Sequence, residues 1–363
     1  MSRPSWLPKH VPELDGLRGM AILPVVLYHC HGKLVFPWIE SAAQWGWAGV
    51  NLFFILSGFL ITGIIVDGRS DRRFFVNFYA RRALRIWPVY VLLLALSYFI
   101  IPILFRVVLA FNFSEWPAVW EAIRTAPWWC YVLFVQNIFA VAMPGTVSPT
   151  WSLAVEEQFY IVWAPVGHFL NNYVLMGLAL AELVLSPFLR AHPPLWITPT
   201  HTLIHLDGLA VGALVALSIR SFKLPQSFWR WLGRSLLLGA GTGAFFLLRH
   251  GSALSDTLLA LCFGGALLTA LSCSGAGTPL ARFFRLAPLR FYGRISYGLY
   301  MTHITAFVVI GALDEAMQPY GWQGQLIVLC TRLTLATLLA VILWECFEKK
   351  ILTLKKRFEA RTA

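Results

Sequence analysis

The stretch ELDGLRGMAILPVVLYHCHGK, residues 13–33, decides the class of fold. It is apolar enough to enter a lipid bilayer, yet it carries Asp15, Arg18 and His29 within or at the edge of the span. An ionisable side chain in hydrocarbon costs about 2.5–3.5 kcal/mol on insertion scales, so each of these residues needs a compensating role. Arg18 and His29 are eleven positions apart, which predicts nearly the same helix face and roughly 16 Å along the axis.

Two explanations of this pattern stay open from the stretch alone. One is a chemical site, with a fixed cation and a titratable base on one helix stripe. The other is structural, with Arg18 snorkelling at a helix end and His29 hydrogen-bonded in the core.

The composition of the chain predicts a polytopic membrane protein. The 363 residues are 58% hydrophobic and 13% charged, whereas soluble domains carry about 25% charged residues. Apolar segments of roughly 20 residues, the length that crosses a bilayer as a helix, recur along the chain. The net charge of +12 lies mostly in short loops between these segments, as expected for cytoplasmic loops. No nucleic-acid partner is therefore expected.

The apolar segments predict an all-α bundle of ten transmembrane helices. The spans are expected at about 14–34, 45–66, 86–105, from near 149, 172–189, 201–219, 232–249, 255–273, 295–313 and 324–346. The basic loops fall at 67–85, 220–234 and 274–294, and the C-terminal tail is basic as well. With the N-terminus inside, ten spans place every basic loop and both termini in the cytoplasm, which predicts an inner cell membrane protein.

The connection 106–148 is the least regular part of the predicted topology. Its segment 127–142 is apolar but short, so we interpret it as an interfacial or re-entrant piece rather than a span. The sequence shows no repeat and no separate soluble domain. Residues 1–363 are therefore expected to form one transmembrane domain without an extracytoplasmic C-terminal domain.

A cationic layer is predicted on the cytoplasmic side of the membrane. Arg18 falls there, and so does the stretch ARRALR, in which Arg82 and Arg85 share a helix face at i, i+3. Guanidinium groups bind phosphates through bidentate, charge-assisted hydrogen bonds. The alternative is that these arginines only mark a cytoplasmic loop.

A second layer, toward the outer half of the membrane, holds His29, Ser152, Glu156 and Asp207. A histidine with a carboxylate partner suits the removal of a proton from a hydroxyl group. Tyr160 follows Glu156 by one helical turn, within reach of a hydrogen bond to it. The structural alternatives are a helix-start carboxylate for Glu156 and a helix–helix pairing for Asp207.

Four further polar residues receive a structural interpretation. His201 and His205 have a spacing that could bind zinc, but no third ligand is evident, so no metal is expected. His303 in SYGLYMTH is interpreted as a core histidine, and Ser57 as a helix-packing residue.

Six motifs in chain order resemble the membrane-bound acyltransferase 3 family. They are ELDGLRGMAILPVVLYH, FFILSGFLIT, FYARRALRIWPVY, SPTWSLAVEEQFY, LDGLAVGAL and GRISYGLYMTH. The first carries the family's Arg-x10-His signature as Arg18 and His29, and the third carries its Arg-x-x-Arg pair as Arg82 and Arg85. One such piece is a weak signal, whereas six in order over ten spans are specific.

The resemblance implies an integral membrane O-acyltransferase. Its donor would be an acyl-coenzyme A, in the first place acetyl-coenzyme A, whose phosphates would meet Arg18, Arg82 and Arg85. His29 would activate a hydroxyl of a glycan or lipid-linked sugar, with Glu156 as an orienting or charge-balancing group. Transfer through an acyl-histidine is a variant of this scheme.

One residue departs from the pattern of the family. Many relatives carry an arginine two residues before the aspartate of the LDG motif, and here His205 stands at that position. The role of Asp207 is therefore left open.

Two other classes of protein remain compatible with the sequence. A proton-coupled transporter would use His29, Glu156 and Asp207 as a relay, and it predicts two related halves with broken helices, which the sequence does not show. A membrane assembly protein would use the same groups to join helices. The acceptor, the acyl chain length and the oligomeric state do not follow from the sequence.

Overall fold

The computed structural model describes residues 4–8, 11–30, 37–100, 127–139, 145–275 and 278–358. These residues form helices and connecting turns without a strand, which confirms the all-α prediction. They include ten helices of 16 to 24 residues, numbered α1 to α10, and one of them overlaps each predicted span. The third begins at Phe74, so the second half of the predicted loop 67–85 is helical and the span predicted at 86–105 began too late. The ten are Glu13–Tyr28, Ala48–Asp67, Phe74–Ala95, Thr150–Phe169, Asn172–Ala191, Leu206–Ser221, Gln226–Arg249, Ser255–Cys273, Ala287–Val309 and Gly321–Leu343.

Shorter helical elements lie between and after these helices. The short α-helices are Pro37–Ala43, Trp128–Val132, Pro279–Phe284, Gly311–Met317 and Lys349–Thr353. Two π-helical segments, Leu96–Ile100 and Trp344–Glu348, continue α3 and α10. Single 3₁₀ segments occur at Gly145–Val147, Thr202–Ile204, Gln318–Tyr320 and Leu354–Phe358.

Six helical stretches in the described residues are long and apolar enough to cross a membrane. They are Pro37–Asp67, Phe74–Ile100, Asn172–Ala191, Gln226–Leu248, Ser255–Cys273 and Gln318–Thr353. The chain is thus a multi-pass membrane protein, while ten crossings and cytoplasmic termini stay predictions. The four remaining long helices, α1, α4, α6 and α9, carry Arg18, Glu156, Asp207 and His303. Polar groups of this kind inside a membrane bundle are expected at functional sites.

Part of the connection 106–148 lies outside the described residues. Within 127–139 the structure contains the helix Trp128–Val132, whose five residues are too few to cross a bilayer. The re-entrant arrangement predicted for 127–142 stays a prediction.

The chain folds into two compact units, each assembled from three separate segments. The first unit comprises Met1–Pro24, Trp47–Ser70 and Ala154–Arg294. The second unit comprises Val25–Gly46, Asp71–Leu153 and Ile295–Ala363. The single transmembrane domain expected from the sequence stays a prediction.

Motif glycines allow the backbones of the first unit to touch. A Cβ atom on Gly16 of α1 would lie 1.9 Å from the carbonyl oxygen of Phe284. A Cβ atom on Gly293 of α9 would lie 1.8 Å from the carbonyl oxygen of Asp15. Small residues at such crossings are the usual means of close helix packing in membranes. The glycines of ELDGLRG and GRISYG are therefore explained by packing.

A second close crossing joins α2 to α6, also within the first unit. A Cβ atom on Gly58 would lie 2.1 Å from the carbonyl oxygen of Leu209, and one on Gly212 would lie 2.1 Å from that of Ile55. These glycines belong to the motifs FFILSGFLIT and LDGLAVGAL, so packing accounts for parts of these two motifs as well.

In the second unit, the segment 127–139 is held by aromatic and hydrogen-bond contacts. The hydroxyl of Tyr90 donates to the carbonyl oxygen of Tyr131 at 2.9 Å. The ring of Phe134 stacks on that of Tyr90, with centroids 4.8 Å apart. Gln136 is fully buried and its amide donates to the carbonyl oxygen of Thr150 at 3.1 Å. These contacts attach the segment 127–139 to α3 and to the beginning of α4.

Candidate functional site

His29 lies one residue beyond the end of α1, in the second unit. Its backbone N–H still donates to the carbonyl oxygen of Val25 at 3.3 Å, so His29 ends the helical hydrogen-bond pattern. Its Nδ1 is 2.9 Å from the same oxygen. The Nε2 of His303 on α9 is 3.2 Å from this Nδ1, and the two ring centroids are 4.8 Å apart. The predicted base therefore belongs to a pair of imidazoles.

His303 is fully buried, and its own Nδ1 is 3.1 Å from the carbonyl oxygen of Leu299, one turn earlier on α9. The interpretation of His303 as a core histidine is correct as to burial but missed its contact with His29. The two residues are 274 positions apart. No local spacing in the sequence could have paired them.

Ser152 and Tyr300 extend the polar groups around this pair within the second unit. The Ser152 hydroxyl is 2.6 Å from that of Tyr300, and both hydroxyls are 3.2 Å from the carbonyl oxygen of Pro149. The ring of Tyr300 lies 6.0 Å from that of His303. We call His29, His303, Tyr300 and Ser152 the histidine cluster.

Glu156 on α4 belongs to the first unit and has hydroxyl donors on both of its oxygens. Ser57 donates to Oε1 at 2.7 Å, and Tyr160 donates to Oε2 at 2.8 Å. The predicted contact of Tyr160 with Glu156 is confirmed. Ser57, predicted to serve packing, is a hydrogen-bond partner of the same carboxylate.

Asp207 at the start of α6 is 3% exposed and accepts three hydrogen bonds in the first unit. The donors are Arg190 at 2.7 Å, the Thr257 hydroxyl at 2.8 Å and the backbone N–H of Gly208 at 3.0 Å. Arg190 lies on α5 and supplies the guanidinium that the position of His205 lacks. The aspartate thus makes the helix–helix pairing that the sequence left as an alternative, and a catalytic role for it is untested.

Arg18 lies in the first unit, where its guanidinium is 3.2 Å from the carboxylate of Asp15. Arg82 and Arg85 lie on α3 in the second unit, with both side chains partly buried. They keep the shared face predicted from their spacing, because α3 is helical through both positions. A common phosphate site for all three arginines stays a prediction.

Glu348 is an acidic residue close to Arg85 that the sequence did not single out. It is 7% exposed, ends the π-helical segment after α10, and interacts electrostatically with the Arg85 guanidinium. A Cβ atom on Gly298 would lie 2.7 Å from its Oε1. The glycine in SYGLY therefore leaves room for a buried carboxylate beside the Arg-x-x-Arg helix.

These features define the class of protein: a helical multi-pass membrane protein whose second unit holds an imidazole pair, with His303 buried and His29 partly buried, and a partly buried arginine pair. A family profile described as an acyltransferase domain matches residues 11–345. The chain belongs to this acyltransferase family, which confirms the resemblance carried by the six motifs.

Curated relatives are similar to the chain over most of its length. The peptidoglycan O-acetyltransferase OatA of Listeria monocytogenes is 27% identical over 350 residues, which cover 89% of this chain and 53% of that protein. The O-acetyltransferase OatA of Staphylococcus aureus is 26% identical over 377 residues, which cover 98% of this chain and 59% of that protein. The chain thus spans little more than half the length of these relatives. No solved structure matches it significantly.

Proposed function

We propose that this protein is a membrane O-acetyltransferase that moves an acetyl group from acetyl-coenzyme A to a hydroxyl group of peptidoglycan. The observation that carries the proposal is the family match over residues 11–345, which includes both the Arg-x10-His and the Arg-x-x-Arg motifs. His29, Arg82 and Arg85 all belong to the second unit. The proposed acceptor is supported by the relative that is named a peptidoglycan O-acetyltransferase.

His29 is the general base of the proposed reaction. Its imidazole takes the proton of the acceptor hydroxyl while the hydroxyl oxygen attacks the thioester carbonyl carbon. The carbon–sulfur bond then breaks, and the coenzyme A thiolate receives the proton from His29. The products are an O-acetyl ester and free coenzyme A, so no other reactant is needed.

Arg82 and Arg85 bind the phosphates of the donor in this proposal. Their shared face on α3 offers two guanidinium groups one turn apart, a geometry suited to bidentate contacts with phosphate oxygens. The basic loops support an orientation in which this end of α3 faces the cytoplasm of a cell with the protein in its inner membrane. The roles predicted for Arg18, Glu156, Ser152, Tyr160 and Asp207 stay predictions.

The test uses the full chain in lipid nanodiscs with acetyl-coenzyme A labelled in its acetyl group and soluble peptidoglycan fragments. We expect base-labile label on the fragments. His29→Asn should lower the rate by roughly 10²- to 10⁴-fold, the usual contribution of general-base catalysis. His250→Asn changes an exposed histidine at the end of α7 and should leave the rate unchanged.

Two results would overturn parts of the proposal. Full activity of the His29→Asn protein would exclude His29 as the base. Label that appears on other hydroxyl compounds but never on peptidoglycan fragments would exclude the acceptor while retaining the acetyltransferase.

A further inference from the structure

The hydrogen bonds of the imidazole pair assign a proton to each ring. A carbonyl oxygen only accepts hydrogen bonds, so a ring nitrogen within bonding distance of one carries a hydrogen. The Nδ1 of His303 lies 3.1 Å from the Leu299 carbonyl oxygen, and complete burial favours the neutral ring. The Nε2 of His303 therefore holds a lone pair.

The same argument applies to His29. Its Nδ1 lies 2.9 Å from the Val25 carbonyl oxygen, and 3.2 Å from the lone pair on Nε2 of His303. Both the carbonyl oxygen and the Nε2 lone pair can only accept a hydrogen bond, so the hydrogen of His29 is on Nδ1. In the neutral ring its Nε2 is then the basic nitrogen.

We propose that His303 is a positioning residue that holds His29 in the tautomer with Nδ1 protonated, so that Nε2 receives the acceptor's proton. This inference rests on the proposed function of His29 as the base. His303 touches neither substrate nor reacting atom in this scheme and acts through His29 alone.

The Val25 carbonyl by itself is a weak constraint on His29. It also accepts the backbone N–H of His29 at 3.3 Å, so one oxygen serves two donors of the same residue. His303 adds an acceptor from α9, a different helix, and its own ring is held by the Leu299 contact. A histidine whose second ring nitrogen is hydrogen-bonded is fixed in both tautomer and orientation.

Packing around His303 supports a fixed ring. The ring of Phe307 lies edge-on to it, with centroids 5.9 Å apart, and that of Tyr300 lies 6.0 Å away. The Tyr300 hydroxyl is in turn held by Ser152 and Pro149. Contacts with Leu299, Tyr300 and Phe307 on α9 thus hold the His303 ring, and with it the Nε2 that accepts from His29.

Two amide substitutions separate the acceptor from the packing. In His303→Asn the amide reaches the position of Nδ1 and keeps a donor for Leu299, but nothing replaces Nε2. In His303→Gln the longer side chain places its amide near the position of Nε2, where the oxygen can accept from His29. Both variants are polar, uncharged and close in volume, so each is the control of the other.

Kinetics give the first readout. We expect His303→Asn to lower kcat by roughly 10- to 100-fold, as the loss of a residue that orients a functional histidine typically does. The KM for acetyl-coenzyme A should change little, because the arginines are untouched. His303→Gln should recover most of kcat. Equal losses in both variants would mean that His303 serves packing and would overturn the inference.

Nitrogen-15 NMR of histidine-labelled protein gives a readout independent of activity. The His29→Asn protein assigns the His29 signals by difference. We expect a protonated Nδ1 and an unprotonated Nε2 on His29 in the unmodified protein and in His303→Gln, and a mixture of tautomers in His303→Asn. A protonated Nε2 in the unmodified protein would exclude the inference.

The two proposals fail in different ways. If His29→Asn keeps full activity, His29 is not the base. The NMR spectrum of the unmodified protein can then still show His29 with Nδ1 protonated. If His29→Asn is inactive but His303→Asn changes neither the spectrum nor kcat, His29 remains the proposed base and His303 has no positioning role. Should the asparagine variant not accumulate in the membrane, the unmodified protein's spectrum and the glutamine variant decide.

Discussion

Three arginines of the first unit and Arg85 of the second unit differ in their partners. In the first unit, the arginines on α5, on α6 and before α9 each pair with a carboxylate of the chain: Arg190 with Asp207 at 2.7 Å, Arg220 with Asp67 at 2.8 Å and Arg285 with Glu13 at 2.7 Å. In the second unit, the side chain of Arg85 makes no ion pair or hydrogen bond with any residue that the structure describes. Its interaction with Glu348 is a longer-range electrostatic one.

The difference separates a structural use of arginine from a binding use. A guanidinium already held by two or three acceptors has little left to offer a substrate. One that is partly buried near a single carboxylate keeps its donors for phosphate oxygens. The comparison therefore favours a structural role for Arg190, Arg220 and Arg285 and supports the proposed donor-binding role of Arg85, and each role can be tested.

The largest effect on stability is expected where a buried ion pair loses its carboxylate. Asp207→Ala leaves the Arg190 guanidinium, which is 10% exposed, without its main partner. We expect the free energy of unfolding to fall by about 3–5 kcal/mol, measured by chemical denaturation in detergent micelles. Glu345→Ala is the control, because its pair with Lys349 is more than half exposed and contributes less than about 1 kcal/mol. Equal losses would remove the distinction between the pairs.

The next effect concerns donor binding. In the proposed donor complex, Arg85→Gln removes a hydrogen bond between charged groups worth about 1.5–3 kcal/mol, so the KM for acetyl-coenzyme A should rise roughly 10- to 150-fold. The unfolding midpoint should hardly change. Arg220→Gln should do the reverse, lowering stability through Asp67 and leaving KM alone. An Arg85→Gln protein as destabilised as Arg220→Gln would show that Arg85 is structural after all.

A smaller effect tests the close helix crossings. Gly16→Ala brings a Cβ atom against the backbone oxygen of Phe284 and should cost about 1–3 kcal/mol of stability. Gly177→Ala, with no atom within 4 Å of the new Cβ, should gain up to about 1 kcal/mol. Gly298→Ala meets the movable end of Glu348, so its cost should lie between the two. The unfolding midpoints of the three variants give this order, and any other order contradicts it.

The smallest effect is a pH dependence at the start of α3, outside the apolar span. The backbone N–H of Arg73 and the amide of Asn77 donate to Asp71 and lower the pKa of this carboxyl below its ordinary value. A lowered pKa means that the carboxylate stabilises the fold above the ordinary value of 3.8 and that this contribution fades as the pH falls through the lowered value. Asp71→Ala should therefore reduce the unfolding midpoint at neutral pH, and the difference should vanish in acid.

Local features of the sequence predicted the helices and part of the site. Apolar runs of sufficient length predicted all ten long helices, because hydrophobic length is a property of each segment alone. The same holds for the shared face of Arg82 and Arg85 and for the hydrogen bond from Tyr160 to Glu156. Each depends on spacings of three or four residues along one helix.

The sequence alone therefore determined an all-α membrane protein of an acyltransferase family, and it indicated His29 and the arginine motifs. Only the tertiary structure decided the partners: His303 for His29, Ser57 for Glu156 and Arg190 for Asp207. The first two pairs are separated by 274 and 99 positions. Such contacts depend on which helices pack together and how closely. Glycines that meet backbone at some of the crossings contribute to this packing, and no single segment of the sequence reveals which helix it will meet.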